Sequence, residues 1–141
     1  MRSVRLNFSK TGRAIYISHL DLNRMMSRAV RRAQLPMWYT EGFNPHPYIA
    51  FALPLSLGQE SDCEYMDIRI EGDMTDTEIQ DRLNETLPEG IKILSVGAPV
   101  HDAKEIAAAQ YFVKTVFGTE DEASLFCEKA EELMNGTELM A

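Results

Sequence analysis

The 141 residues include only two cysteines, Cys63 and Cys127, and no C-x-x-C pair, so neither a disulfide framework nor a cysteine-held iron–sulfur cluster is written into the chain. Free, partly buried thiols are expected. There is also no G-x-G-x-x-G, no Gly-rich phosphate loop and no G-x-S-x-G, which removes support from dinucleotide-dependent hydride transfer, nucleotide hydrolysis and serine hydrolysis. No apolar run approaches the roughly 20 residues of a membrane helix, and Met1-Arg2-Ser3-Val4-Arg5 leads into a strand pattern rather than a signal sequence. A cytoplasmic protein with no membrane role is expected.

What is present is ordinary globular composition, 45% hydrophobic and 26% charged. The formal charge of −8 is unevenly spread. Residues 1–50 carry eight Lys/Arg against two carboxylates, a charge of +6, whereas residues 51–141 carry six against twenty, a charge of −14. Either a polyanion-binding face sits in an otherwise acidic protein, or two surfaces neutralise each other in the fold.

Val4, Leu6 and Phe8 alternate with polar neighbours, the period-2 mark of a strand with one buried face. After a turn at Lys10-Thr11-Gly12-Arg13, the run Ala14-Ile15-Tyr16-Ile17 is β-prone, and Ser18 is placed to cap a helix over residues 19–34. Leu22, Met25, Met26, Ala29 and Ala33 form its apolar stripe, while Arg24, Arg28, Arg31 and Arg32 share the opposite side with Asp21. A stiff, aromatic loop follows from Met37 to Pro47. Strands are expected at 48–55 and 64–70, paired antiparallel, with Met66, Ile68 and Ile70 on one face. Thr75 and Glu78 form a capping box for a second helix bearing Ile79, Leu83 and Leu87, and Ile91 to Val96 forms a fourth strand.

The order β-α-β-β-α-β predicts an α+β, ferredoxin-like split fold, an antiparallel sheet with both helices on one face. It is expected over residues 1–98. Residues 99–109 read as a linker, and 110–141 as an added strand at Tyr111 to Phe117 and a helix at Glu120 to Met134, the start of a second unit or an appendage.

Three groups of residues could carry chemistry. The four arginines at helical spacing suit phosphate, because each guanidinium offers planar bidentate donors, and Trp38, Tyr39 and Phe43 could stack bases. A solvated face is the competing reading. His19, Asp21, His46, Glu60, Glu64 and Asp67 supply imidazoles and carboxylates of the kinds used in acid–base catalysis or metal binding, but without a ligand spacing, so a capping His19 and a turn-locking His46 are weighed about two to one above a metal. Cys63 would be a nucleophile only beside a base. No cofactor is expected.

The segments Arg13-Ala14-Ile15-Tyr16-Ile17-Ser18-His19-Leu20-Asp21-Leu22, Arg28 to Ala33, Tyr39-Thr40-Glu41-Gly42-Phe43-Asn44-Pro45-His46-Pro47, Phe51 to Leu55, Gly58 to Ser61 and Glu64-Tyr65-Met66-Asp67 together resemble the radical-SAM-linked domain of unknown function. That family is fused to, or encoded beside, radical-SAM proteins with a cobalamin-binding domain. The resemblance implies a non-catalytic accessory role with such a protein as partner, and a chain that is short at its C-terminus. It assigns no catalytic residue. The combined expectation is a module that presents RNA, or another phosphate-bearing substrate, to the partner; an enzyme or metal-binding domain built on His19 and His46, and an interaction module alone, are the alternatives.

Overall fold

The computed structural model describes residues 1–135. It divides into two units, Met1–Ala107 and a second beginning at Ala108.

The first unit contains β1 (Arg2–Lys10), α1 (His19–Arg32), β2 (Ile49–Phe51), β3 (Ser61–Ile70), α2 (Asp76–Thr86) and β4 (Ile91–Gly97). The strands form one antiparallel sheet in the order β2-β3-β1-β4, the ferredoxin-like topology. Alternation decides which face is buried. Val4, Leu6 and Phe8 of β1, Met66, Ile68 and Ile70 of β3, and Ile91 and Ile93 of β4 pack with Leu22, Met26, Ala29 and Val30 of α1 and with Ile79 and Leu83 of α2. Both helices therefore cover one face of the sheet. The other face carries Arg5 and Asn7, Tyr65, Asp67 and Arg69.

Local chemistry sets the helix ends. The Ser18 hydroxyl accepts from the Asp21 amide at 3.2 Å at the start of α1. At its other end Gln34 adopts φ +53°, with the Gln34 amide donating to the Arg31 carbonyl and the Leu35 amide to the Val30 carbonyl, both at 3.1 Å. These two bonds make a Schellman cap with glutamine where glycine is usual, and buried Leu35 seals it against Val30. Thr75 and Glu78 cap α2 reciprocally, as their spacing predicts. Gly90 is fixed by space as well as conformation. Its φ is +89°, and a Cβ there would lie 2.5 Å from the Thr11 carbonyl oxygen.

Several expectations need correction. Residues 12–16 form a 3-10 helix rather than a strand, since Gly12 at φ +58° turns the chain and the Ile17 amide closes onto the Ala14 carbonyl. β2 is limited to Ile49–Phe51, because Pro54 cannot donate to a ladder and the chain turns away after Ala52. Within residues 99–109, Asp102 and Glu105 cap a short 3-10 turn at Ala103–Glu105.

The second unit contains α3 (Glu120–Asn135), with Phe117 against Phe126 at 5.2 Å between ring centroids. Tyr111 to Phe117 does not form the expected fifth strand. Its alternating apolar side chains have no ladder partner among the described residues, and Phe112, Val113 and Val116 are exposed. Cys63 and Cys127 are both exposed rather than partly buried: Cys63 lies outside the covered part of β3, and no described residue of the second unit is buried. No described helix is long and apolar enough to cross a membrane.

Candidate functional site

The candidate residues fall into four places. The first is the outer side of α1. Its buried stripe directs Arg24, Arg28, Arg31 and Arg32 away from the core, and all four are exposed. Arg24 pairs with Asp21 at 3.3 Å. Within the first unit Arg28, Arg31 and Arg32 have no carboxylate within ion-pair distance.

The second place is the loop from Met37 to Tyr48. Met37 bridges to Ile70 on the covered side, so Trp38, the next residue, turns to the uncovered face of the sheet. There the Arg69 guanidinium lies 5.4 Å from the Trp38 ring centroid and 4.2 Å from that of Tyr48. Tyr39 and Phe43 are exposed, Phe43 completely so. Trp38 thus does not share a surface with the arginines of α1. His46 is held inside this loop, its Nδ1 3.1 Å from both the Thr40 hydroxyl and the Asn44 carbonyl and its amide donating to Thr40. The turn-locking reading describes it.

The third place is the end of the sheet where β1 meets the start of α1. Lys10 continues the even register of Val4, Leu6 and Phe8, and its side chain is fully buried. Its ammonium donates to the Ile17 carbonyl at 2.8 Å and reaches the Ile15 carbonyl at 3.5 Å. Burial pushes its pKa down, opposed in part by the charge of Glu64. His19 stands edge-on to Phe51 at 5.1 Å, with Nδ1 buried and without a hydrogen-bond partner. Glu60 accepts from the Gly12 amide at 2.8 Å. Asp21 faces outward with Ser18 and Arg24. Sequence reasoning missed Lys10, although the alternation of β1 carried the signal.

The fourth place is the uncovered face, where Asp67 belongs. Arg5 donates to it through Nε at 2.7 Å and Nη2 at 2.8 Å, and this bond holds the guanidinium pKa above its ordinary value. The Arg5 guanidinium also lies 6.0 Å from the Tyr65 ring. An open cleft of about 560 Å³ adjoins Arg5, lined on the sheet by Arg5, Tyr65 and Ala52 and on the following segment by Val100, Asp102 and Ile106. Tyr65, Arg5 and Arg69 were missed as site residues; they occupy the polar positions of strands whose apolar positions were read.

His19, His46 and Asp67 therefore do not converge. Among the described residues no three His, Cys, Asp or Glu side chains lie close enough to hold a metal ion. Residues 3–141 match a family model described as an uncharacterized protein conserved in bacteria (DUF2344). No curated protein matches the chain.

Proposed function

The chain belongs to this bacterial DUF2344 family, and from that premise we propose that it is a binding module for RNA or another phosphate-bearing substrate, acting beside a radical-SAM protein with a cobalamin-binding domain. The observation that carries the reading is the ridge of Arg28, Arg31 and Arg32: exposed, aligned on one side of α1, and unpaired within its own unit. Guanidiniums held at helical spacing present bidentate donors to successive phosphates. Exposed Tyr39 and Phe43 lie in the loop that follows α1, on the path from the ridge to the sheet edge at β2. The partner rests on the motif resemblance between Arg13 and Asp67, and Arg24, tied to Asp21, is the member least available to phosphate.

The test is fluorescence anisotropy with single-stranded RNA over a salt series. Each phosphate contact contributes about 0.7 to the slope of log affinity against log salt, so changing Arg28, Arg31 and Arg32 together to Gln is expected to flatten it by roughly 2. Binding that ignores salt, or a slope unchanged in the triple variant, overturns the reading. Co-purification with the radical-SAM partner tests the second part.

A further inference from the structure

We infer that the cleft on the uncovered sheet face takes one unstacked guanine base, its ring face on Tyr65. This deepens the RNA reading and rests on it for the source of the base. The floor of the cleft is a tyrosine ring with 40% exposure, set on β3 and backed by the sheet. A ring held on a strand is a rigid stacking platform, and stacking accepts any planar heterocycle. The volume, about 560 Å³, is within the range of small-molecule sites and has room for a base with its sugar.

The polar groups around the platform narrow the choice. Asp102 Oδ1 accepts from the Lys104 amide at 3.1 Å, which fixes this carboxylate, an acceptor, on the lining of the cleft. Arg5 spends Nε and Nη2 on Asp67, which leaves Nη1 as a donor held in a fixed plane. Acceptors beside one fixed donor match the guanine edge, in which N1–H and N2–H₂ donate next to the O6 acceptor. Adenine and uracil present fewer donors to the same set. Arg69, gripped between Tyr48 and Trp38 further along β3, gives the next phosphate a cation on the same face.

The experiment compares an oligouridylate carrying one central guanine with the same strand abasic at that position, on the full chain and on Tyr65→Leu, which keeps a strand-compatible apolar side chain. The guanine strand is expected to bind about tenfold tighter than the abasic one, and Tyr65→Leu to remove that difference while leaving the salt slope intact. Equal binding of the two strands by the unsubstituted chain, or an unchanged difference in Tyr65→Leu, overturns the cleft. A separate arm titrates guanosine and guanosine monophosphate at high salt against the isotope-labelled protein. Amide shifts at Ala52, Tyr65 and Ala103 support the cleft even if the arginine ridge fails its own test, and assign it to a free nucleotide; no shift at millimolar nucleoside together with equal oligonucleotide binding overturns it.

Discussion

Along β3, successive residues belong to two different surfaces. Met66, Ile68 and Ile70 are fully buried beneath α1 and α2, whereas Tyr65, Asp67 and Arg69 lie on the face that neither of these helices covers. The covered face is apolar and continuous, interrupted only by Lys10 at its end. The uncovered face is made of paired charges and aromatic rings, Arg5 with Asp67 and Arg69 with Tyr48 and Trp38. One face holds the unit together through area removed from water. The other pairs Arg5 with Asp67 and sets Arg69 against two rings, and it keeps the ring of Tyr65 accessible, as a binding face requires.

The largest effect that would test this division is on the covered side. Ile68→Ala removes a fully buried side chain from the centre of the sheet and is expected to cost about 3 kcal/mol in urea denaturation, within the roughly 2–5 kcal/mol spread for such truncations. A cost below about 1 kcal/mol would show that the site collapses and that burial is not what distinguishes the two faces.

Lys10 is the exception on that face and gives the next largest effect. Lys10→Met keeps the packing but leaves the Ile17 carbonyl without its ammonium donor, at an expected cost of about 1–2 kcal/mol. The sign of the pH dependence is fixed by the lowered pKa. The folded state binds this proton less tightly than the unfolded chain does, so stability in the unsubstituted protein rises as pH climbs through the window between the depressed value and the ordinary 10.5. That rise is expected to disappear in Lys10→Met, measured as the difference between the two proteins at each pH. Parallel pH profiles would sink the assignment.

How much of this was legible follows from period and punctuation. Alternation in β1 and β3 and the i, i+3, i+4 stripe of α1 reveal which residues face the core, and Thr75 with Glu78 marks the start of α2, because these signals are local. The sheet order followed from the element order. Gln34 concealed the end of α1, since its left-handed conformation is imposed by the Schellman bonds and Leu35 burial rather than by its own preference. The strand expected at 111–117 failed for the opposite reason: its alternation is real, but a strand exists only with a partner. The site was half legible. The arginine ridge is a helical-face argument and was readable, whereas the contacts of Arg69 and the lining of the cleft join residues from 21 (Tyr48 and Arg69) to 101 (Arg5 and Ile106) positions apart, which no local pattern reports.

On the uncovered face the effects on stability are expected to be smaller. Asp67→Asn keeps the shape of the side chain but removes its charge and one acceptor for Arg5. Both partners are about a fifth to a quarter exposed, so the pair is neither fully screened nor deeply desolvated. A loss of about 1 kcal/mol is expected, together with weaker dependence of stability on added salt. A loss matching that of Ile68→Ala would mean that this face, too, carries the fold.

The smallest effect is expected one residue beyond Ile68. Arg69→Met retains a long, flexible side chain able to lie against Tyr48 and Trp38 but withdraws the cation from both rings. Partly exposed cation–π contacts are worth about 0.5–1 kcal/mol, and the thioether recovers part of that through its own contact with the rings. Stability should therefore fall by no more than about 0.5 kcal/mol. The emission of Trp38, the only tryptophan, should nevertheless change, because its charged neighbour has gone. RNA affinity should fall as well, since the phosphate following the stacked base would lose its cation. A substitution that leaves the fold intact while altering the signal and the binding of this face is what separates a surface kept for a ligand from one kept for packing. An Arg69→Met variant that unfolds as readily as Ile68→Ala would erase that separation, and with it the reason for placing a base on Tyr65.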